Sequence, residues 1–323
     1  MKKVLRVTAA VIAALAIVCF AAVAYWLYSP TPKAPRLGSA VTRETIDVHG
    51  MTRSFLTYVP LQLPAGAPLV IVLHGSMMNG AMMRKWTGYE FDRLADKDKF
   101  VVLYPDGYKG NWNDCRADAS YPAKTEHIDD VSFIEAMIAR MRTQQGIDPR
   151  RVYMFGYSNG GHMGFRMAME HADDVAAVAA VAASLPVQAD SSCPASGPTS
   201  RIMLIDGTDD PINPFSGGMV SLFGLGKRGR SMSALASAEL IAQRNHVADP
   251  PTYTQLMPVQ LDDPTRVGRS VWYQAGIPMV ELDAVYGGGH VIPQPYYSYP
   301  RLLGRTSSAI DAPKAAVAFF GLK

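Results

Sequence analysis

The chain has 323 residues, 48% of them hydrophobic and 18% charged, which is enough apolar material for one large core and excludes an intrinsically disordered chain. The net charge is +3, but the first 36 residues contribute five basic side chains and no acidic one. The remaining 26 basic and 28 acidic residues leave a nearly neutral body, which offers no electrostatic basis for binding nucleic acid.

The N-terminus has the layout of an export signal. Lys2, Lys3 and Arg6 precede an almost unbroken apolar run from Val7 to Tyr28, and charges followed by an apolar stretch are typical of such signals. The run has 22 residues, and roughly 20 are enough to span a bilayer.

Two fates of residues 1–28 stay open. An uncleaved membrane anchor would leave the rest of the chain outside by the positive-inside rule, whereas Ala22-Val23-Ala24 is a possible cleavage site of a removed signal. Cys19 is not expected to carry a lipid, because Val18 stands where a small residue is needed. Both fates predict an extracytoplasmic body whose membrane contact is confined to this segment.

The rest of the chain divides into a linker and one folded domain. Residues 29–40 are interpreted as the linker, since Ser29 to Arg36 carries three prolines and no apolar patterning. Residues 41–323 are expected to form the domain. Alternating, β-rich segments at 43–48 and 53–59 predict that it opens with an antiparallel pair.

Continuous apolar runs predict central strands that are buried on both faces. They occur at 69–73, 100–104, 152–155 and 202–205, with weaker candidates at 178–181 and 279–282. Helices are predicted at 128–141, 161–170, 233–244 and 312–320. Strands that alternate with helices predict an α/β fold with a mostly parallel sheet and helices on both faces.

The segment Gly156-Tyr157-Ser158-Asn159-Gly160 is a G-x-S-x-G motif between a predicted strand and a predicted helix. The motif alone is a weak signal in a chain with this much glycine and serine. Its strand–turn–helix setting is that of a nucleophile elbow, in which glycines permit a sharp turn that exposes the serine hydroxyl. Ser158 is therefore the candidate nucleophile, the alternative being an ordinary serine in a glycine-rich turn.

A serine hydroxyl needs a base to act as a nucleophile at neutral pH. In this kind of fold the base follows the nucleophile and an acid along the chain, and His246 and His290 both follow Ser158. His290 ends a Gly287-Gly288-Gly289 loop directly after a predicted strand, where a base must project, whereas His246 ends a polar helix. His290 is therefore the candidate base.

The acid that orients the base is expected in the loop after the strand at 202–205. Asp206 is too close to the strand itself. Spacing favours Asp210 over Asp209 only slightly, because Asp210 lies farther into the loop and precedes Pro211, which restricts it to an extended conformation.

The tetrahedral intermediate of acyl transfer requires N–H donors. One is expected from the amide of Asn159, the residue after the nucleophile, and the other from the loop after the strand at 69–73. In that loop, His74-Gly75-Ser76, we select the Ser76 amide as the second oxyanion donor and interpret His74 as a structural turn residue.

Several short blocks resemble, in the same order, the poly(3-hydroxybutyrate) depolymerase and feruloyl or acetylxylan esterase-like branch of the α/β hydrolases. The blocks are Leu73-His74-Gly75, Tyr104-Pro105-Asp106-Gly107, Asn111-Trp112-Asn113-Asp114, Asp129-Asp130-Val131, Gly156-Tyr157-Ser158-Asn159-Gly160-Gly161, Gly207-Thr208-Asp209-Asp210-Pro211 and Gly287-Gly288-Gly289-His290. The likeness implies an α/β-hydrolase catalytic domain with Ser158, Asp210 and His290 as its catalytic residues, and it strengthens the preference for Asp210 over Asp209.

The chain departs from the family pattern at three places. Val291-Ile292-Pro293 stands where members often have Thr-Trp-Pro, so an aromatic wall is expected to be missing. Ser76 stands where members often have Cys, which leaves a backbone donor unaffected. The glycine-rich stretch at 214–231 is longer than usual and is interpreted either as a mobile apolar lid or as a surface loop.

Trp112 and four methionines are candidates for the lining of an acyl pocket, since methionine suits irregular apolar substrates. The methionines are Met77, Met78, Met82 and Met83, for which core packing is the alternative. The one basic cluster of the body, Lys227-Arg228-Gly229-Arg230, is interpreted as a solvated loop rather than a phosphate-binding site.

Cys115 and Cys193 are the two cysteines outside the N-terminal segment. An extracytoplasmic compartment permits a disulfide between them, and two free thiols are the alternative. No spacing of histidine, cysteine and carboxylate residues resembles a metal site, so neither a metal nor an organic cofactor is expected.

These observations predict a serine carboxylic-ester hydrolase that works through an acyl-enzyme. The resemblance implies short-chain hydroxyacid esters, such as poly(3-hydroxybutyrate)-type oligomers, with feruloyl or acetylxylan esters as the alternative. Peptide hydrolysis by the same residues and a non-catalytic envelope protein are further alternatives. The complete set of blocks argues against the last of these.

Overall fold

One sheet of ten strands organises the body of the protein in the computed structural model, which describes residues 2–322 apart from the side chains of residues 2–5 and 7. The strands are β1 (Val41–Val48), β2 (Met51–Tyr58), β3 (Leu69–Leu73), β4 (Val101–Pro105), β5 (Val152–Tyr157), β6 (Ala177–Val181), β7 (Arg201–Gly207), β8 (Gly218–Met219), β9 (Arg230–Ser231), β10 (Thr252–Leu256), β11 (Arg266–Gln274) and β12 (Ile277–Tyr286). The sheet order is β1-β2-β4-β3-β5-β6-β7-β12-β11-β10, and β8 pairs with β9 separately.

The six central strands, from β4 to β12 in this order, are parallel to one another. An antiparallel pair closes each side, β1 with β2 on one and β11 with β10 on the other. Because the central strands are parallel, their carboxyl ends meet at one edge of the sheet, where ligands of such folds bind.

Residues 2–322 contain eight α-helices, most of which cover the sheet. They are α1 (Lys2–Leu27), α2 (Gly80–Trp86), α3 (Glu90–Asp98), α4 (Pro122–Thr125), α5 (Asp130–Gln145), α6 (Asn159–Glu170), α7 (Ala234–Arg244) and α8 (Ala312–Phe320), with 3-10 turns at Gln188–Asp190 and Arg301–Leu303. The apolar faces of α5, α6 and α7 pack on one side of the sheet, and those of α2, α3 and α8 on the other.

The alternation of side chains along each central strand explains the two cores. Along β3, Leu69, Ile71 and Leu73 belong to the core beneath α5 and α6, whereas Val70 and Val72 belong to the core beneath α3 and α8. A strand that feeds two cores must be apolar throughout, which is why the central strands read as continuous hydrophobic runs.

The predicted α/β fold with a mostly parallel sheet and helices on both faces is confirmed. The predicted antiparallel opening and the six predicted central strands are present, with small shifts of their ends. Sequence reasoning missed β10 and β11. For β10 the reason is that the strand is exposed or partly exposed along its whole length and shows no apolar alternation. It also missed the short helices α2 and α3.

The N-terminal helix α1 lies outside both cores. Its segment Thr8–Leu27 is long and apolar enough to cross a membrane, and none of it is buried against the body, although a signal sequence passes the same test. The predicted linker contains no helix or strand, and Ser29 donates a hydrogen bond to the backbone oxygen of Ser298 at 2.8 Å. The chain therefore touches the body directly after α1.

Candidate active site

Ser158 occupies a sharp turn between β5 and α6. Its φ is +54° and its ψ −119°, a backbone conformation that side-chain-bearing residues rarely adopt. The turn is tight because the start of α6 lies close against both β5 and β3. A Cβ at Gly156 in β5 would lie 2.3 Å from the Gly160 oxygen, and one at Gly160 would lie 2.5 Å from the Leu73 oxygen at the end of β3. The glycines of the motif are therefore required by packing, as a nucleophile elbow demands.

A chain of hydrogen bonds joins the three residues selected from the sequence. Nε2 of His290 lies 2.9 Å from Oγ of Ser158, and Nδ1 of His290 lies 2.7 Å from Oδ2 of Asp210. His290 and Asp210 are both buried. This arrangement allows the imidazole to accept the serine proton while the carboxylate holds the ring and stabilises its charged form.

The end of β7 and the loop after it place the three candidate aspartates in different surroundings. The second oxygen of Asp210, Oδ1, accepts hydrogen bonds from the N–H groups of Ile212 at 2.7 Å and Asn213 at 2.8 Å, which fixes its carboxylate toward His290. Asp209 is exposed and contacts only its neighbour Thr208 through its side chain among the described hydrogen bonds.

Asp206 lies within β7, and its Oδ1 accepts a hydrogen bond from the Ala183 N–H at 2.9 Å. Burial and the nearby Asp210 raise the pKa of Asp206 well above its usual value. The carboxyl group that contacts the imidazole is thus that of Asp210.

His290 reaches Ser158 because of where β12 ends. The strand finishes at Tyr286, and the following glycines carry the chain across the carboxyl edge of the sheet. The His290 N–H donates to the Leu303 oxygen at 2.6 Å, and the Tyr157 hydroxyl donates to the His290 oxygen at 2.8 Å. The alternative histidine, His246, is exposed beyond the end of α7, far along the chain from these contacts.

The loop selected for the second oxyanion donor lies directly beside the nucleophile. A Cβ placed on Gly75 would lie 3.4 Å from the Cβ of Ser158 and 2.8 Å from the Tyr157 ring, so only glycine lets the two backbones come this close. Ser76 follows and lines the same cavity as Ser158. Asn159 is the first residue of α6, whose first N–H groups have no partner within the helix.

His74 has the structural role expected of it. Burial lowers its pKa to about 4, so the ring is neutral near pH 7. Its Nε2 accepts a hydrogen bond from the Gly107 N–H at 2.8 Å, which leaves the Nδ1 proton for the Gly75 oxygen at 2.7 Å. The ring therefore fastens the candidate oxyanion loop to the loop after β4.

The interpretation of Trp112 as a pocket residue is wrong. Its side chain is fully buried, does not line the cavity at Ser158, and donates through Nε1 to the His74 oxygen at 2.9 Å. Its backbone N–H donates to Oδ1 of Asn159 at 2.7 Å. Trp112 thus holds both segments that carry the candidate oxyanion donors. The position of Trp112 between two asparagines in the sequence does not reveal this supporting role.

A buried charged cluster beneath Asn159 was not found by sequence reasoning. Oδ2 of Asp114 accepts hydrogen bonds from Asn159 at 2.6 Å, Tyr121 at 2.5 Å and Arg116 at 2.5 Å. Burial opposes ionisation of Asp114, but Arg116 and the hydrogen bonds outweigh it and hold the pKa of Asp114 well below its usual value. The only sequence signal was the family block that ends at Asp114.

Cys115 and Cys193, which the sequence left open between a bridge and two thiols, form a disulfide with a Cα–Cα distance of 5.2 Å. They are 78 residues apart in the chain. The bridge ties the loop after β4 to the segment after β6. Cys19 is free and exposed on α1.

A cavity of about 230 Å³ opens over Ser158 and His290. Met77, Met78 and Met82 line it, as expected of an acyl pocket, together with other, mostly apolar side chains. Met83 does not line it, because this side chain is fully buried in the core beside the sheet. Of the two roles left open for the methionines, Met83 therefore has core packing.

The glycine-rich stretch at 214–231 forms one side of this cavity. Val220 and Leu222 line it, whereas Phe223 and Leu225 at the tip of the stretch are exposed. The interpretation of residues 227–230 as a solvated loop is wrong for Arg228, whose side chain also lines the cavity. Whether the stretch moves as a lid stays a prediction.

The described residues contain one group that could hold a metal ion, formed by Glu135, His171 and Asp174 at the surface. Nδ1 of His171 lies 3.0 Å from the Glu135 carboxylate and 3.5 Å from that of Asp174. Ion pairing accounts for this grouping, and it lies apart from the residues that line the cavity at Ser158.

Comparison with known proteins identifies a matching family model and several relatives. Residues 54–212 match the family model described as Esterase PHB depolymerase. The putative esterase NocK of Nocardia uniformis subsp. tsuyamanensis is 28% identical over 308 residues, which cover 92% of this chain and 88% of that protein. Poly(3-hydroxyalkanoate) depolymerase C of Paucimonas lemoignei is 32% identical over 126 residues, covering 39% of this chain and 30% of that protein.

Among solved structures, acetyl xylan esterase from Aspergillus awamori superposes with a TM-score of 0.59 at 16% identity, covering 88% of this chain and 100% of the other. At that identity the likeness shows a shared fold. The chain spans most of NocK but less than a third of depolymerase C. The family match and these relatives show that the chain is an esterase of the α/β-hydrolase fold that carries an esterase PHB depolymerase domain at residues 54–212.

Proposed function

We propose that the protein hydrolyses carboxylic esters through an acyl-enzyme formed on Ser158. The observation that carries the proposal is the chain of hydrogen bonds from Asp210 through His290 to Ser158, which ends at a mostly apolar cavity. A serine, an imidazole and an anchored carboxylate in this order provide a nucleophile, its base and the group that orients the base.

In the first half of the reaction, Oγ of Ser158 attacks the ester carbonyl carbon as its proton passes to Nε2 of His290. The carbonyl oxygen becomes an oxyanion that the amides of Ser76 and Asn159 stabilise. The C–O bond to the alcohol breaks, and the imidazolium donates its proton to the departing oxygen. Asp210 stabilises the positive charge of the imidazolium throughout.

In the second half, water attacks the acyl-enzyme and loses a proton to His290. The bond to Oγ of Ser158 then breaks, the serine regains its proton from His290, and a carboxylic acid is released. No metal or organic cofactor enters either half.

The substrates we propose are short-chain hydroxyacid esters, such as poly(3-hydroxybutyrate)-type oligomers. A cavity of about 230 Å³ lined by methionines supports a small aliphatic acyl group. The name of the relative from Paucimonas lemoignei also supports a hydroxyacid polyester. The alternative is an acetyl or feruloyl ester on polysaccharide, and the acetyl group would fit the same cavity.

We further propose that the protein works outside the cytoplasm, delivered by its N-terminal segment. The support is a helix with a span-length apolar stretch that is not buried against the body. Immunoblotting of fractionated cells against the expected masses of the full and shortened chains tests the anchor against the cleaved signal.

The experiment is hydrolysis of p-nitrophenyl acetate, butyrate and octanoate by the full-length chain in mild detergent. We expect Ser158→Ala to lower kcat/KM by about 10⁴-fold or more, because no other group supplies the nucleophile. Ser196→Ala, at an exposed serine, is the matched control and should match wild type. Butyrate should be preferred over octanoate because of the cavity size.

Two further substrates separate the alternatives. Faster release of acetate from acetylated xylan than of monomer from hydroxybutyrate oligomers would favour the polysaccharide esterase. Turnover of fluorogenic peptides without turnover of esters would contradict the proposal. A folded wild-type protein that neither cleaves esters nor reacts with a fluorophosphonate at Ser158 would be a non-catalytic relative.

A further inference from the structure

A guanidinium group lies in the mostly apolar cavity at Ser158. Arg228 lines the cavity together with methionine, valine and leucine side chains, and its Nη1 donates a hydrogen bond to Oγ of Ser76 at 2.7 Å. Ser76 is also the residue whose amide we assign to the oxyanion. The guanidinium of Arg228 therefore contacts the same residue, Ser76, that is proposed to bind the ester carbonyl oxygen.

The fold holds Arg228 in this position from both sides. The Lys227 oxygen accepts hydrogen bonds from the N–H of Ser120 at 3.1 Å and from its hydroxyl at 2.9 Å. On the other side, the Arg230 N–H donates to the carboxylate of Asp190. These anchors connect three segments of the chain, so the direction of the arginine is set by tertiary structure and not by a free loop.

The charge of Arg228 is not neutralised, in contrast to that of the second arginine in the cavity. Arg116 pairs with the buried carboxylate of Asp114 at 2.5 Å. Among the residues that the structure describes, no carboxylate lies within ion-pair distance of Arg228. Burial and the neighbouring Arg116 lower the pKa of Arg228, as expected for a cation without a counter-charge, but an arginine remains protonated at neutral pH.

We infer that Arg228 binds a carboxylate carried by the substrate, so that the enzyme prefers esters with a free acid group close to the scissile bond. This inference rests on the proposed ester hydrolysis and names the substrate class more closely. A partly desolvated guanidinium gains most from a planar anion that accepts two parallel hydrogen bonds, and a carboxylate has that geometry. A substrate without an anionic group near the scissile bond would leave the charge unpaired.

Linear hydroxyacid oligomers supply such a group by their own chemistry. Each oligomer ends in a free carboxylate, and in the dimer this carboxylate belongs to the leaving alcohol, a short chain away from the ester oxygen. A polymer interior lacks the charge. The inference thus favours the end of a chain or a dimer over internal bonds of a long polyester.

The test compares two substrates of nearly equal size, the 3-hydroxybutyrate dimer as free acid and as methyl ester, by kcat/KM in the full-length enzyme. We expect wild type to favour the free acid by about tenfold, the effect of one charge-assisted hydrogen-bonded pair. Arg228→Gln should bring this ratio close to one, and Arg228→Lys should retain part of it. Lys227→Gln, which removes the adjacent exposed charge, should leave the ratio unchanged.

Two results would overturn the inference. One is a wild-type enzyme that cleaves the methyl ester at least as well as the acid. The other is an Arg228→Gln enzyme that loses activity on both substrates equally with an unchanged ratio, which would mean that Arg228 only holds Ser76. Loss of Ser158-dependent cleavage of p-nitrophenyl butyrate would instead contradict the proposed function, so the two failures are distinguishable.

Discussion

Two regions meet at the cavity and are built in different ways. The strand-end region consists of Ser158, Asp210 and His290, each of which lies a few residues at most beyond the end of a central strand of one sheet. The pocket wall consists of residues 107–121, 186–200 and 211–231, which are joined by the Cys115–Cys193 disulfide and by hydrogen bonds between remote segments. One region is placed by the register of a sheet, and the other by contacts between loops.

This difference explains why the position of one region can be predicted from the sequence and the position of the other cannot. In the strand-end region each residue follows the end of a strand by a short stretch of chain. Parallel pairing of β5, β7 and β12 with their neighbours therefore places the three side chains at the same edge of the sheet. In the pocket wall, Arg116 and Arg228 come from segments more than a hundred residues apart in the chain. We therefore expect the proposed reaction chemistry to depend on the sheet and substrate selection to depend on the loops.

The largest expected effect that would test this division, after loss of Ser158 itself, lies in the strand-end region. We expect Asp210→Asn to lower kcat/KM for p-nitrophenyl butyrate by about 10³- to 10⁴-fold, because the amide cannot stabilise the imidazolium and favours the wrong tautomer. Asp209→Asn, at the adjacent exposed carboxylate, is the control and should change kcat/KM by less than about twofold. Equal losses in both variants would contradict the assignment of Asp210.

A second prediction concerns the buried charges beneath the pocket wall. Asp114→Asn leaves the buried Arg116 without its counter-charge, and we expect it to cost about 3–5 kcal/mol of unfolding free energy. Chemical denaturation followed by tryptophan fluorescence measures the cost. Asp118→Asn, an exposed carboxylate in the same loop, should unfold at the wild-type denaturant concentration.

The turnover rate of the Asp114→Asn variant tests whether the pocket wall also affects the active site. The side chain of Asn159 is held by Asp114, so the folded fraction should also turn over more slowly. A variant as stable as wild type would mean that the ion pair does not support the wall.

The smallest expected effect belongs to the tip of the glycine-rich stretch. We predict that replacing residues 222–226 by a short turn changes kcat/KM for p-nitrophenyl octanoate by about three- to tenfold, because Leu222 lines the cavity and a lid controls access to it. The rate of Ser158 labelling by a small fluorophosphonate should change less. Unchanged kinetics on both probes would favour the plain surface loop over the mobile lid.

The sequence by itself determined the fold class and nearly all of the strand-end region. Continuous apolar runs marked the central strands because these strands are buried on both faces. The glycines around Ser158 and before His290 marked the turns because a side chain there would collide with neighbouring backbone. The family resemblance resolved Asp210 from Asp209, which spacing had left nearly equal.

Only the tertiary structure decided the pocket wall. The sequence predicted that Trp112 lines the pocket, but its side chain is buried beneath the candidate oxyanion loop. The sequence also predicted that Arg228 is solvated, but its side chain lines the cavity. A local pattern cannot report such outcomes, because burial of a loop side chain depends on which distant segment packs over it. Here those segments are brought together by a disulfide across 78 residues and by hydrogen bonds that link Ser120 and Asp190 to the loop that carries Arg228, none of which leaves a periodic signal in the chain.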